Sequence, residues 1–221
     1  MMQATFDAGT SAAAHGDSAM KAAPLAAGYH PLPRGHLANV VTCLEMMERP
    51  AVRPVPDMQG LSLARLGAGD TARFRSLFRD IGRDIMWFSR LIMPEAQLAG
   101  IIGDPKVHSH ALVKEGRDIG LLELDFREDG QCELSFFGLV PSAVGTGVGR
   151  WLMNEAIARA WAAPISRFWV HTCTFDHPDA LAFYQRSGFR PYAVMVEVHE
   201  DPRLTGHLPR DASPKAPLIG A

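Results

Sequence analysis

The sequence predicts an α+β or α/β fold in which helices flank a mixed, mostly antiparallel β-sheet. Three segments within residues 107–140 alternate between apolar and polar side chains and are joined by short turns, a pattern typical of an antiparallel meander. Helical and strand patterns then alternate through residues 147–200, as expected for strands linked by crossover helices. The chain has 221 residues, of which 47% are hydrophobic, so it can bury a substantial core without disulfides.

The residues before the meander predict strand and helix elements in turn. Residues 36–47 are apolar and fit either an additional strand or a short helix, and residues 61–66 alternate as a strand does. Residues 70–92 carry apolar side chains at helical spacing, which predicts one or two helices with Gly82 as a break. Residues 94–102 predict a short helix because they begin with a proline, which suits a first helical turn.

The rest of the folded region predicts one β-hairpin, a further strand, and two helices that alternate with the last two strands. Turn residues lie at 115–116 and 128–130, and Gly188 suits the left-handed end of the last helix. The predicted strands are 107–116, 118–128, 131–140, 167–173 and 191–200, and the predicted helices are 147–162 and 177–189.

We expect one folded domain, residues 35–201, between two loosely ordered ends. Residues 1–34 are rich in Ala, Gly, Ser and Pro and show no sustained period, and residues 202–221 form a similar Pro- and Ala-rich tail. Such segments bury too little apolar surface to offset the entropy lost on ordering.

Composition and charge exclude several classes of protein. A formal net charge of -2 provides no positive field that would hold nucleic acid or anionic lipid, so we expect neither as a partner. No apolar run reaches the roughly 18 residues of a membrane-spanning helix. Three scattered cysteines do not form a disulfide framework and predict a reducing, cytoplasmic location. The pairs His108/His110 and His171/Cys173 lack a third ligand at suitable spacing, so we expect no metal.

A glycine-rich turn, residues 144–150, lies between a predicted strand and a predicted helix. Its sequence is Val144, Gly145, Thr146, Gly147, Val148, Gly149 and Arg150. Glycines allow close approach of a ligand to the backbone, and the free N–H groups and positive dipole end of a helix attract anions. The turn therefore predicts a phosphate site made of main chain, to which Arg150 can add a charged hydrogen bond. A turn needed only for tight strand–helix packing is the alternative. The spacing matches neither the dinucleotide-binding G-x-G-x-x-G pattern nor a P-loop.

A second block, residues 176–189, follows about thirty residues later and contains Ala180, Tyr184, Gly188 and Phe189. Together with the first block, which runs from Leu139, Val140 and Pro141 into the glycine turn, it resembles the GNAT superfamily of acetyl-CoA-dependent N-acetyltransferases. The resemblance covers roughly residues 60–200 and is specific over residues 131–190. It implies a GNAT-like sheet whose central strands splay apart to admit acetyl-CoA, the co-substrate.

Two positions depart from the pattern of that family. Val144 stands where the family usually has Gln or Arg, so this side chain cannot help to hold the pyrophosphate. His177 stands where Asn is common, and its ring either replaces the amide hydrogen bond to the cofactor or caps the helix.

The resemblance also implies which residues bind the cofactor. Main-chain groups of Phe137, Leu139 and Val140 would bind the acetyl and pantetheine end, and a free N–H near Phe137 would donate to the reacting oxygen. Main-chain N–H groups from Val144 to Arg150 would hold the pyrophosphate.

An acetyl transfer to an amine needs a base for the amine and an acid for the departing thiolate. In some branches of the family a Glu at the spacing of Glu133 acts as the base, often through water. Glu123 and His171 are the alternatives, and Glu133 itself could be a solvated residue on the outer face. Tyr184 is the candidate acid, against the alternative of an amphipathic residue that fills the core.

The sequence does not identify the acceptor. In the family the region after the first helix shapes the acceptor pocket, where Trp87 and Phe88 could stack on a substrate and Arg90 could bind a carboxylate. We expect an N-acetyltransferase that acts by direct attack in a ternary complex on a small-molecule or peptide primary amine. A catalytically silent acyl-CoA-binding or regulatory module on the same fold is the alternative. The last strand could lie at a sheet edge and pair with a second subunit in a homodimer.

Overall fold

The computed structural model describes residues 23–220, so residues 1–22 of the predicted tail, residues 1–34, lie outside the described part. Within the described residues the chain forms a seven-stranded sheet and five α-helices. The strands are β1 (His36–Met46), β2 (Leu61–Arg65), β3 (Val107–Lys114), β4 (Arg117–Asp125), β5 (Gln131–Leu139), β6 (Arg167–Cys173) and β7 (Arg190–Glu200). The helices are α1 (Thr71–Gly82), α2 (Ser89–Ile92), α3 (Glu95–Ile102), α4 (Val148–Ala160) and α5 (Ala180–Arg186). The predicted mixed, mostly antiparallel sheet flanked by helices is confirmed.

The order of strands in the sheet is β2-β3-β4-β5-β6-β1-β7, so the first strand lies between the last two. Residues 36–47 therefore form a strand and not a short helix. β1 pairs antiparallel with both β6 and β7 and is therefore an internal strand of the sheet. β7 lies at the sheet edge as predicted, and its pairing with a second subunit stays a prediction.

Helices cover the sheet on both faces. α4 and α5 pack on one face through a core that includes Leu122, Leu152 and Phe168. α1 and α3 pack on the opposite face through Phe74, Phe78 and other buried apolar residues. We call these the α4 face and the α1 face. The predicted break at Gly82 is confirmed, because α1 ends there and a 3₁₀ turn leads towards α2.

The centre of the sheet opens between β5 and β6, its one parallel pair among the described residues. Their pairing covers only Gln131–Glu133 on β5 and Arg167–Trp169 on β6, although both strands continue beyond it. The expected splayed central strands are therefore present, and we call the gap beyond Glu133 the opening.

A β-bulge at Ser135 changes which side chains of β5 face each side of the sheet. Glu123 pairs with Phe136 but the next residue of β4 pairs with Leu134, so Ser135 is the extra residue. Leu134 consequently packs into the α4-face core, whereas Phe136 packs into the α1-face core. Glu133 precedes the bulge and lies on the α1 face, and Phe137 follows it on the α4 face.

The C-terminal segment differs from the expectation of a loose tail. Residues 202–220 contain no helix or strand, but Leu208, Ala212 and Ala216 are buried in a cluster with Met86 and Phe175. The composition argument failed because a few small and apolar residues suffice when the folded body offers a complementary surface. Within residues 23–220, no helix is both long and apolar enough to span a bilayer.

Candidate active site

The glycine turn between β5 and α4 adopts a conformation that requires glycine at two positions. Gly145 and Gly147 have φ angles of 78° and 86°, in the left-handed region that residues with a Cβ avoid. Gly147 is also the residue before α4, and it provides no side-chain cap for the helix. Thr146 bridges the turn by donating its hydroxyl to the Ala143 carbonyl at 2.7 Å.

Five of the seven N–H groups of this turn have no protein acceptor. The prediction is wrong for both ends of the turn, because the Val144 N–H donates to the Pro141 carbonyl at 3.3 Å and the Arg150 N–H is also used. Within the described part of the chain, none of the five N–H groups from Gly145 to Gly149 donates a hydrogen bond, whereas those of Arg150 and Trp151 both donate to the Gly147 carbonyl. Gly145, Thr146 and Gly147 are exposed, so their donors open to solvent, whereas Val148 is buried and Gly149 is half-buried. Unused N–H donors at the positive end of a 13-residue helix are an arrangement that attracts anions.

Three arginines strengthen the positive potential near this turn. Arg150 donates to the Ser187 hydroxyl at 2.9 Å and lies over the Phe183 ring at 4.8 Å. Arg53 donates to the Arg186 carbonyl at 2.7 Å. Burial, together with the positive charges of Arg53 and Arg186, lowers the pKa of Arg150. Among residues 23–220 none of the three forms a salt bridge with a carboxylate, so their charges are not neutralised by the described protein.

The backbone of β5 presents main-chain groups to the opening. The Val140 N–H donates to the Ile119 carbonyl at 3.0 Å, on the side of β4. Because successive N–H groups of a strand point in opposite directions, those of Leu139 and Phe137 point away from β4 and into the opening. The main-chain positions predicted from the sequence for Phe137 and Leu139 therefore lie at the opening, and Val140 differs because its N–H serves the sheet.

Glu133 is a buried carboxyl with an unused oxygen at the start of the opening. Its residue is 3% exposed, and its Oε1 atom has no hydrogen-bond partner among the described residues. Burial is the main cause that raises the pKa of Glu133 to about 8, and the neighbouring carboxylate of Asp125 adds to it. The alternative of a solvated residue on an outer face is therefore wrong, and the carboxyl has the pKa of a group that exchanges protons near neutral pH.

Glu123 and Arg90, which the sequence predicts as an alternative base and as a substrate-binding residue, bind each other instead. Glu123 is fully buried, and its two oxygens accept from Arg90 and from the Ser109 hydroxyl, each at 2.6 Å. A carboxylate with both oxygens occupied is poorly suited to take a proton from an amine. The expected carboxylate contact of Arg90 also needs correction, because its guanidinium is 7% exposed and already neutralised by Glu123.

His171 connects Glu133 to solvent. Its Nδ1 atom lies 3.7 Å from the Oε1 atom of Glu133, and 39% of its side chain is exposed. His171 lies on β6 beyond the last residue paired with β5, so it borders the opening on the α1 face. The structure thus brings two of the three base candidates together.

Tyr184 lies on the α4 face, across the sheet from Glu133. Its ring packs against Phe137, Phe183 and Phe189 with centroid separations of 6.3, 5.9 and 5.8 Å. The residue is 7% exposed, and its hydroxyl makes no hydrogen bond within residues 23–220. Burial raises the pKa of Tyr184, so the phenol keeps its proton and can only act as a donor or a neutral partner.

The two aromatic candidates for the acceptor pocket also serve the core. Trp87 packs against Phe78 and Phe136 at 5.2 and 5.1 Å between ring centroids. Phe88 packs against His199 at 4.8 Å. Both rings are half-buried, so each offers an edge to solvent while it fills space between the helices and the sheet.

His177 lies in the turn that leads into α5. Its ring Nδ1 accepts the Asp179 N–H at 3.2 Å, and its carbonyl accepts the Ala180 N–H at 2.8 Å. The ring therefore stabilises the turn before α5 and does not cap the helix, whose N-cap is Asp179; a contact of this ring with the cofactor stays a prediction.

Sequence reasoning missed three features of this site. Ser135 has a buried hydroxyl without a partner beside Glu133, and the bulge that places it has no recognisable signal in the sequence. Arg53 reaches the glycine turn from a segment about a hundred residues away, and Met58 lies against Gly147. Within the described chain no three His, Cys, Asp or Glu side chains gather as a metal site would require.

Comparison with known proteins identifies the family to which the chain belongs. The acetyltransferase (GNAT) family matches residues 74–189, more than half of the chain. No curated protein matches the sequence significantly.

Solved structures share the fold at low sequence identity. A functionally unknown conserved protein from Staphylococcus epidermidis is 11% identical with a TM-score of 0.57, over 76% of this chain and 64% of that one. A GNAT-family acetyltransferase, described as putative, from Novosphingobium aromaticivorans is 19% identical with a TM-score of 0.51, over 78% and 70%. A GCN5-related N-acetyltransferase from Sphaerobacter thermophilus is 15% identical with a TM-score of 0.56, over 75% of this chain and about half (53%) of its own.

Proposed function

The chain belongs to the acetyltransferase (GNAT) family, and on that premise we propose that it transfers an acetyl group from acetyl-CoA to a primary amine by direct attack in a ternary complex. Family membership supports acetyl transfer in general. The choice of acetyl-CoA and of an amine rests on the site itself, and the observation that carries it is the combination of an unpaired buried carboxyl with an unused anion site at one opening in the sheet.

The residues of the glycine turn suit the diphosphate of coenzyme A. Five N–H donors from Gly145 to Gly149 are available, and the nearby arginines add positive charge without a carboxylate to cancel it. The Val144 N–H donates to the Pro141 carbonyl at 3.3 Å and its side chain is apolar, so the free N–H groups that follow it take the place of the absent Gln or Arg. The bound co-substrate supplies the thioester that carries the acetyl group.

The Phe137 and Leu139 N–H groups point into the opening and are placed to hold an extended chain and an acyl oxygen. Hydrogen bonds from fixed main-chain donors stabilise negative charge on an oxygen without any reorganisation. Tyr184 packs directly against Phe137, which puts the phenol on the side of the opening that the turn also borders. We assign Tyr184 the role of proton donor to the departing sulfur.

Glu133 takes the proton from the amine. Its unused Oε1 atom provides the acceptor, and a pKa of about 8 leaves a large share of the carboxyl ionised in mildly alkaline solution. His171 stands next to this oxygen and carries the proton onwards to solvent. The two sides of the reaction thus use opposite faces of the sheet, with the opening as the passage between them.

The test measures release of free thiol from acetyl-CoA over a panel of primary amines, beside a thermal shift with coenzyme A. We expect stabilisation by coenzyme A and thiol release with at least one amine. Stabilisation without release for every amine would favour the silent acyl-CoA-binding module, and stabilisation by ATP or NAD but not by coenzyme A would contradict both.

A further inference from the structure

The C-terminal segment, residues 202–217, is held in shape by a buried ion pair at its start. Arg203 and Asp201 are 3% and 1% exposed and form a salt bridge of 2.7 Å. Arg203 also donates to the carbonyls of Ala212, Ala216 and Pro217, so all of its N–H groups find acceptors. A buried ion pair is tolerated only when its hydrogen bonds are satisfied, and here they hold the segment in one conformation.

The same segment is attached to two loops of the domain. The Ser213 N–H donates to the Asp84 carboxylate at 3.3 Å, in the loop between α1 and α2. The Lys215 ammonium donates to the carbonyls of Phe175 and Asp176 at 2.6 and 3.0 Å, in the loop between β6 and α5.

An apolar cluster joins the same three parts of the chain. Leu208, Ala212 and Ala216 pack with Met86 and Phe175, and Phe88 packs against this cluster. The segment therefore links the two loops through both charged and apolar contacts.

Both loops border the acceptor side of the opening. The first leads into α2, whose Arg90 pairs with Glu123 on the same face as Glu133. The second begins directly after β6, which carries His171. The segment therefore bridges the two loops on this side of the opening, where Glu133 is 3% exposed.

We propose that residues 202–217 form a wall of the acceptor site, with Arg203 as its positioning residue, and that this wall selects a small amine over a peptide. The inference rests on the proposed function, since it concerns the acceptor of that same reaction. The half-buried Phe88 ring and the nearly buried Phe175 ring give the wall an apolar surface, which suits an amine on a short carbon skeleton.

The test compares 2-phenylethylamine with a short lysine-containing peptide in the thiol-release assay. Asp201→Asn combined with Arg203→Met removes both buried charges together, so neither is left unpaired. We expect the ratio of kcat/KM for the small amine to that for the peptide to fall by about tenfold, mainly through KM, with an unchanged Kd for coenzyme A. Lys215→Met should shift the ratio in the same direction by less, and it tests the proposal if the double variant does not fold.

Arg210→Met is the matched control, because Arg210 lies in the same segment but is exposed and makes no hydrogen bond or salt bridge within residues 23–220. An unchanged ratio in a double variant whose segment is shown by limited proteolysis to be released would overturn the proposal. Hydrogen exchange at residues 84–88 and 174–177 distinguishes failure of the wall proposal from failure of the proposed function. If no amine is acetylated at all, faster exchange there in the double variant still supports the wall, and unchanged exchange refutes it.

Discussion

The two ends of the opening differ in the chemical groups that they present. The glycine turn is exposed and offers main-chain N–H groups, whereas the Glu133 region is buried and offers side chains whose properties depend on their neighbours. A site made of main chain tolerates changes of side chain as long as the backbone conformation is kept, as Val144 illustrates. A site made of buried side chains tolerates few changes, because each group sets the protonation of the others.

The largest effect is expected on the buried side. Glu133→Gln removes the base but keeps the shape, so kcat should fall by about 10³-fold while the Kd for coenzyme A stays the same. The wild-type rate should rise with pH and level off above the Glu133 pKa of about 8, and the variant should lose this rise. Initial rates between pH 6 and 10 and calorimetric titration with coenzyme A measure both. Full activity of the variant would show that Glu133 is not the base.

Burial of Glu133 should also make the free energy of unfolding depend on pH. The folded-state pKa of Glu133 lies above its ordinary value of 4.5, so its contribution to stability is fully present below pH 4.5 and is lost as the pH rises to about 8. The free energy of unfolding of Glu133→Gln should therefore exceed that of the wild type by about 5 kcal/mol at pH 9 and show no gain at pH 4. Calorimetric melting at the two pH values checks this. A gain of equal size at both would mean that ionisation is not the cause.

Tyr184 separates catalysis from packing. Its hydroxyl has no hydrogen-bond partner in the described protein, and Tyr184→Phe keeps the ring contacts. The melting temperature of the variant should therefore be nearly the same as that of the wild type. Turnover should fall by about 10²-fold if the phenol donates a proton. The control is Tyr192→Phe, on β7. A variant that keeps full turnover at every pH would remove the acid role.

The exposed end should show a smaller and purely conformational effect. Gly147→Ala places a Cβ at a φ of 86°, which strains the backbone of the turn, and 2.9 Å from the Met58 methyl, which has to move aside. The Kd for coenzyme A should therefore rise about tenfold. Gly116→Ala is the control, because Gly116 has a similar φ of 76° in a hairpin turn with no atom nearby. Both should lose about 1–2 kcal/mol of stability, but only Gly147→Ala should lose affinity. Equal affinity in the two variants would contradict a main-chain phosphate site.

The same contrast explains what the sequence could predict. The strand–turn–helix order and the glycines of residues 145–149 are local, so the glycine turn before α4 and the break at Gly82 were predictable from neighbouring residues. The position of Glu133 on the α1 face was not, because it depends on the bulge at Ser135 and on partners from β4 and β6.

Long-range contacts also account for the errors. Arg90 was expected to bind a substrate carboxylate, but it pairs with Glu123, 33 residues away. The C-terminal residues were expected to be loose because their composition is poor in large apolar groups, yet Arg203 orders them by satisfying three of their carbonyls. No periodic pattern carries either kind of information.

The central claim is that unused main-chain amides at the start of α4 grip coenzyme A, and amide resonances report on this directly. In a ¹⁵N-labelled sample titrated with coenzyme A, we expect the amide signals of Gly145, Thr146, Gly147, Val148 and Gly149 to shift most, together with those of Phe137 and Leu139. Saturable binding that leaves these amides unmoved, or an absence of binding, would contradict the account.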